Sequence, residues 1–567
     1  MVSKKKKSAK KRSRESEHKE PREADTKKYN ETENSWCPEF SKISSIHDTQ
    51  RLVTVREEHD TVGDNLEIFF AASGNIDSRL EVEELKDFCR GTSLADVVAA
   101  KGPAGAQRIA WMDDRISGPG LKGNEVAREY ENPLTATGLY RALDRPRFND
   151  ENLPDAVRRL VYVTDLSPAC IHALVGTASW LQTDALREAI SKHLAFQTSI
   201  AVKIASAGIR TFQLDLHLPL FKLDRSKPPN RCPQEANAKP RRRWTDLSFM
   251  KLETCELQGE DQDPKEVWGI QEAHISCTVT GTDNWRWIGY AFVDTEIDGV
   301  LADSDLPELK MDQIAAGKLD ISTPICCARE YWIKIFEIRI DYVRKQWLYL
   351  IWKFERSIDL YIDKHSLILS SGSETTQERT VQVKADFDWA RQATDISSRL
   401  HGVLSDTITS WKSFSSPGEG ISHFEDISTN ARLSLRAIRS IFRDLEGDEK
   451  RLDLLKSRYT AFARALELHL ELEVKEATVK NGLASELNMA VFYPIALAAG
   501  IFTMQQEDLP FQMSFRSFAI VVILLMLMVY ALRLIVEYAV HVRPLLRGKV
   551  LSWVKRAKVD NGGNVHP

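Results

Sequence analysis

The sequence predicts an α+β domain followed by long stalk helices and a two-helix transmembrane hairpin. Three observations carry that expectation. Short apolar runs at strand spacing alternate with helical spacings between residues 60 and 325. Apolar side chains then recur at three- and four-residue steps through most of 330–486. Finally, 487–504 and 517–536 are dense in apolar residues, with no charge in 487–504 and only Arg533 in the second segment. The chain thus divides into a basic and polar disordered tail (1–55), a cytosolic α/β domain (60–325), long helices including a stalk (330–486), a first span (487–504), a short outer loop (505–516), a second span (517–536) and a basic cytosolic tail (537–567).

Within the α/β region, RLVYVT (159–164) ends at Asp165 and Pro168 and reads as a strand. Residues 185–196 have helical spacing at Leu186, Ile190 and Leu194. Residues 200–204 and 211–218 read as strands, the second alternating at Phe212, Leu214, Leu216 and Leu218. The prolines and charges of 222–245 mark a surface loop. AHISCTVT (273–280), a GTDN turn and WRWIGYAFV (285–293) form a β-hairpin. Trp285, Trp287 and Tyr290 fit sheet-face packing better than base stacking, because no basic stripe accompanies them.

From 330 to 363, Trp332, Phe336, Ile340, Val343, Trp347, Ile351, Phe354, Ile358 and Ile362 form one apolar helix face. Charges interrupt nearly every turn, so this helix packs on protein and spans no bilayer. Further helical stretches cover 383–414, 427–445 and 449–486, and nothing stops the last before the apolar segment begins.

Composition narrows the function classes. The 567 residues leave room for several structural units, and 43% hydrophobic with 28% charged residues suffices for a globular core. A net charge of −4 gives no reason to expect a nucleic-acid partner. The eight cysteines form no C-x-x-C pair, which fits reduced thiols in the cytosol. The adjacent Cys326 and Cys327 read as strand or core material. MVSKKKKSAKKRSR at the start is followed by no apolar h-region, which excludes a secretory signal. It reads as a solvated tail, with a nuclear-localisation patch or contact with anionic headgroups as sharper alternatives, and the hairpin downstream favours the headgroups. No Walker loop, G-x-S-x-G, H-E-x-x-H or dinucleotide fingerprint occurs, and the histidines are scattered, so no enzyme is expected.

The first span is 18 residues, roughly 27 Å at 1.5 Å per residue, close to the hydrocarbon thickness. Arg533 near the end of the second can snorkel to the headgroups. The tail beyond it holds Arg543, Arg547, Lys549, Lys555, Arg556 and Lys558, so the positive-inside rule places both termini in the cytosol. The host membrane is left open.

The hairpin resembles that of the CorA family of divalent-cation channels, in a divergent fungal form. In that family a proline in the first span precedes an A-G-I-(F/Y) run, a Gly-Met-Asn signature and an acidic loop. Here Tyr493-Pro494 precedes Ala499-Gly500-Ile501-Phe502, then Thr503-Met504-Gln505 and the loop residues Glu507 and Asp508. YVTDL, LREAISKHLAF, GIRTFQLDLHLP and TVTGTDNWRWIGYAFVDT extend the resemblance over most of 155–540. Thr503 stands where the family has glycine and Gln505 where it has asparagine.

The resemblance implies a homopentamer in the lipid bilayer, conducting a divalent cation, Mg²⁺ foremost, through a pore lined by the first span. It implies no tightly bound cofactor and a divalent cation as transported or regulatory ion. Thr503, Met504 and Gln505 would then form the ion filter, with Asn488 as a further pore residue. Glu507 and Asp508 would form the outer acidic loop, while Pro494 and Gly500 shape the pore helix. The altered signature equally fits a membrane-anchored scaffold or regulatory protein that keeps the fold without the filter.

Overall fold

A sheet whose central strands are buried on both faces organises the first half of the molecule. The computed structural model describes residues 36–44, 51–52, 65–71, 77–116, 128–205, 208–226, 242–252, 267–294, 311–312, 319–320, 325–368, 376–503 and 514–535. The chain divides into two compact units, 1–373 with 388–461, and 374–387 with 462–567.

In the first unit, helices α1 (Asn65–Ala71), α2 (Asp77–Phe88), α3 (Leu94–Val98) and α4 (Pro103–Ala106) lead into strand β1 (Arg108–Arg115). Strand β2 (Leu134–Thr135), helix α5 (Ala136–Asp144), strand β3 (Arg158–Thr164) and helices α6 (Pro168–Thr177) and α7 (Thr183–Leu194) follow. Then come β4 (Ser199–Ile204), β5 (Phe212–Ser226), β6 (Trp244–Asp246), β7 (Val267–Gly281) and β8 (Trp287–Val293). The sheet order is β2-β1-β3-β8-β7-β5-β4, with β6 also on β7. β3 and β8 run parallel, and the other named pairs are antiparallel.

Local chemistry sets the helix starts. Ser167 accepts a hydrogen bond from the Cys170 amide at the head of α6, directly before Pro168, whose missing N–H costs nothing there. Thr135 caps α5 through the Gly138 amide, and Ser93 with Asp96 closes a capping box on α3.

Successive side chains of a strand point to opposite faces. On β8, Ile288, Tyr290 and Phe292 join the core built with α1, α3, α5, α6 and α7. Trp287 instead packs at a tilt against Tyr331, at the start of helix α8 (Ala328–Ile368), with ring centroids 4.9 Å apart. Trp287 and Tyr290 are therefore packing residues of the two faces, as their strand spacing implies.

The long helices α8, α9 (Thr376–Ser415) and α10 (Thr429–Leu487) close over an aromatic core. Trp332 and Phe336 of α8 meet Trp411 and Phe414 of α9, and Trp411 stacks on Phe442 of α10 at 4.6 Å. Each such ring, fully buried, contributes roughly 2–3 kcal/mol. Arg451 of α10 grips Glu355 of α8 with two bonds of 3.0 and 2.6 Å, a geometry only a guanidinium offers.

Four sequence expectations change. β5 runs on through Ser226, paired with β7 as far as Val267, so the expected loop at 222–245 begins later. Long partner strands carry polar residues such as Lys222 and Asp224 into the ladder. α10 is one helix of 59 residues, not two stretches. Gly447 costs about 1 kcal/mol in a helix, and burial of Leu445 and Leu452 on either side outweighs that. Cys326 and Cys327 lie half-buried in the loop before α8 and not in a strand. Finally, within the expected tail, Trp36 and Phe40 are buried against Phe212 at 5.1 and 5.3 Å, since an indole and a phenyl ring lose less by docking than by staying in water.

The second unit holds the start of α9, the continuation of α10, a π-helical turn (Asn488–Phe492) and helix α11 (Tyr493–Phe502). It also holds helix α12 (Phe515–Ile535), 21 residues long and apolar enough to cross a membrane. Asn488–Ile501 is a shorter apolar helix.

Candidate functional site

The apolar end of the second unit begins with a local irregularity that follows from one residue. Pro494 has no N–H, so it cannot donate the bond that α-helical geometry directs to the Ala490 carbonyl, and its ring crowds that oxygen. The helix widens into the π turn over Asn488–Phe492 immediately before it, and regular α-helix resumes at Tyr493. Asn488 is the exposed first residue of that turn.

Fifteen positions later, Thr503 ends the helix. Its amide donates to the carbonyls of Ala499 (3.1 Å) and Gly500 (3.3 Å), and its hydroxyl donates to the Gly500 carbonyl at 2.7 Å. With its proton committed to the helix, the hydroxyl oxygen turns its remaining lone pairs outward as acceptors. Thr503 has φ −86° and ψ −9°, ordinary right-handed geometry. The β-branched side chain of Thr503 fits this geometry, because no left-handed conformation is required.

Between these ends the helix has two kinds of surface. Pro494 and Ala498 are buried, with Val491 and Ile501 half-buried at the neighbouring three- and four-residue steps. Met489, Tyr493, Gly500 and Thr503 are exposed, Met489 and Tyr493 to 67% and 66%. A methyl group added at Gly500 would meet nothing within 4 Å. The structure therefore places Asn488, Pro494, Gly500 and Thr503 on one apolar helix. Met504, Gln505, Glu507 and Asp508 lie outside the described residues, as do the N-terminal basic run and the basic tail after 535.

Histidines scattered along the sequence meet in a polar cluster of the first unit. His193 of α7, His217 of β5 and His274 of β7 are buried together. His193 stacks on His274 with centroids 5.0 Å apart, and His217 meets His274 edge-on at 6.0 Å. The Ser276 hydroxyl lies 2.9 Å from His193 Nδ1 and 3.0 Å from His217 Nδ1. One hydroxyl has one proton, so it donates to at most one of the two imidazoles, and at least one of them carries its proton on Nδ1. His274 Nδ1 donates to the His193 carbonyl at 3.2 Å. Asp294 accepts from Arg242 and from the His274 amide, both at 2.7 Å. Burial, aided by neighbouring positive charge, pushes His217 and His274 well below the usual histidine range.

Beside this cluster, burial pushes the Glu188 carboxyl up, and the ammonium groups of Lys192 and Lys203 outweigh it, holding it at about 2. In β1 and β3, the cross-strand partners Asp114 and Arg159 form a buried pair with bonds of 2.9 and 2.8 Å. Burial raises the Asp114 carboxyl, and Arg159 more than reverses this and holds it below the usual carboxylate range. Among the described residues, no group of three or more His, Cys, Asp or Glu side chains is arranged to hold a metal ion.

No family model matches the chain. No curated protein matches it. Among solved structures it is similar to the full-length CmaX protein, with TM-score 0.35 and 11% identity over 76% of this chain and 99% of that one. It is also similar to the CorA magnesium transporter from Methanocaldococcus jannaschii, with TM-score 0.31 and 9% identity over 75% of this chain and 97% of that one. At such TM-scores these likenesses decide nothing about function. The described residues form a mixed sheet domain, long helices and one helix long and apolar enough to cross a bilayer.

Proposed function

We propose that the chain is a CorA-like membrane protein that conducts divalent cations, Mg²⁺ foremost, through a pore lined by the helix ending at Thr503. The observation that carries this reading is the run from α10 through the π turn into α11, which leads from a water-soluble unit to an apolar helix. That helix keeps Gly500 and its terminal hydroxyl oxygen unshielded. Small residues with open space beside them let neighbouring helices approach closely in a bilayer. A ring of neutral oxygens suits Mg²⁺, which gives up its waters reluctantly and is held through them.

In this reading residues 487–504 and 517–536 form a two-span hairpin with both termini in the cytosol. Thr503, Met504 and Gln505 form the filter, and five subunits close the pore. Glu507 and Asp508 concentrate cations at its outer mouth. Asn488 marks the inner end, and Pro494 and Gly500 shape the helix between.

The test is Mg²⁺, Zn²⁺ and Co²⁺ influx into proteoliposomes containing the full chain, with Gln505→Ala and Thr503→Val alongside. Wild-type flux that falls roughly tenfold in either variant, the loss of one hydrogen bond of about 1.4 kcal/mol, supports the filter. Flux untouched by both moves the filter elsewhere. No flux of any of these ions supports the reading of a membrane-anchored scaffold that has lost conduction. A detergent-solubilised mass equal to one chain would exclude the pentamer.

A further inference from the structure

A cavity of about 140 Å³ lies in the first unit, between the start of α7 and the adjoining ends of β4, β5 and β7. Trp180 and Ile209, 53% and 40% exposed, stand at its mouth, and the buried Ala185 continues the apolar wall. Gln213 and Thr280, both buried, bring polar atoms to its floor. The Asp184 carboxylate on the same wall is engaged by Arg187 at 3.0 Å.

The floor is built around one amide whose orientation is fixed. Gln213 is 2% exposed, and its Nε2 donates to Glu188 at 2.7 Å and to Asp215 at 2.8 Å. The Glu188 carboxyl, held at about 2, is ionised and only accepts, so a flipped amide would set oxygen against oxygen. Neither Glu188 nor Asp215 is among the described residues that line the cavity, so both Nε2 protons are spent away from it. That leaves Oε1, the other branch of the same amide, on the cavity side. Among the described residues this buried oxygen has no hydrogen-bond partner. A buried acceptor in that state costs stability until a donor reaches it.

Thr280 supplies a second acceptor. It is the cross-strand partner of Gln213, so the two side chains share one face of the sheet. Its hydroxyl donates to the Phe212 carbonyl at 2.8 Å, which leaves the oxygen's lone pairs to accept. Two acceptors side by side call for two N–H bonds in one plane. The walls suit a flat ring behind that group. A cavity of about 150 Å³ holds one benzene-sized ring, close to the volume here, and the Trp180 indole presents a stacking face at the mouth.

We propose that this cavity binds a small planar molecule through an N–H₂ group, as an aromatic amide or an aminated ring offers. The N–H₂ sits on Gln213 Oε1 and Thr280 Oγ1, and the ring lies against Trp180. The site is independent of cation conduction.

Ligand-observed NMR titration of the full chain in detergent with nicotinamide tests it. Nicotinate, the same ring with a carboxylate in place of the amide, is the paired probe. Nicotinamide is expected to bind with a Kd of about 1 mM or tighter. Nicotinate is expected to bind at least about tenfold more weakly, because it brings acceptors to acceptors. Trp180→Ala is expected to weaken nicotinamide at least about fivefold, the lower bound for one aromatic stacking contact. Gln213→Met, which keeps the length of the side chain without its oxygen, is expected to reduce the preference for nicotinamide over nicotinate to less than about threefold. Nicotinamide binding weaker than about 1 mM means that the cavity holds water alone and overturns the proposal. So does nicotinate within about tenfold of nicotinamide, or a Trp180→Ala effect smaller than about fivefold. A folded Gln213→Met that keeps the preference overturns it as well. Trp180 is exposed, so its variant and the paired probes carry the test even if Gln213→Met unfolds.

Discussion

The two units solve opposite problems with side chains of opposite kinds. In the α/β unit, charged groups are taken wholly or partly out of water and matched partner by partner: Asp114 with Arg159 and Asp294 with Arg242, both buried, and the half-buried Glu188 with Lys192 and Lys203. In the apolar helices of the second unit, large hydrophobic side chains stand uncovered, among them Ile523 at 56%, Leu524 at 60% and Tyr530 at 61%. A buried charge is tolerable only with its partner, and an uncovered apolar helix is tolerable only in an apolar solvent. The polar network thus reports a fold stable in water, while the bare helix reports what surrounds it.

Removing one partner from the polar side gives the largest expected effect. Asp114→Ala leaves Arg159 charged and buried, and about 3–5 kcal/mol of stability should be lost, read as a fall in the denaturation midpoint. A loss under about 1 kcal/mol would mean that the pair merely fills space.

Placing a charge on each kind of exposed apolar position sharpens the contrast. Ile523→Arg should cost about 2.5–3.5 kcal/mol of apparent insertion free energy, read from the fraction of chains integrated into microsomal membranes. Leu454 on α10 is exposed to 63%, slightly more than Ile523. Leu454→Arg should nonetheless change stability by less than about 0.5 kcal/mol, because that position faces water. Equal tolerance at both positions would remove the membrane from the account of α12.

A smaller effect follows from acid. His217 and His274 are held neutral in the folded unit, so below their ordinary range the unfolded chain takes up protons that the folded chain refuses. Stability is complete above pH about 6.5 and falls as the pH drops. Between pH 7.5 and 5.5 the loss should reach about 2–3 kcal/mol, about 1.4 kcal/mol per histidine per unit. His217→Gln should roughly halve that slope in denaturant titrations. A pH-independent midpoint over this range would mean that the cluster admits water.

Legibility in the sequence tracked the length scale of each signal. The face from Trp332 to Ile358 lies on one helix, so its period sufficed to place it. The β7–β8 hairpin was equally readable, since its turn and both strands are contiguous. Strand β1 was not read, because WMDDR carries Asp113, Asp114 and Arg115 where an apolar run is sought. Their partners, Arg158 and Arg159, lie more than forty residues on in β3. Likewise His193, His217 and His274 reveal nothing by spacing and meet only when β5, β7 and α7 pack. A faint signal existed, since histidines in DLHL and AHISC interrupt otherwise apolar strands.

For the candidate pore, the apolar density of 487–504 and 517–535 and the proline at 494 were set by residue identity alone, because hydropathy and the missing N–H are properties of single residues and short windows. Only the folded chain decided that Pro494 is preceded by a π turn and that the Thr503 hydroxyl folds back on Gly500 with ordinary backbone angles. Those outcomes depend on how the backbone redistributes hydrogen bonds around a missing donor.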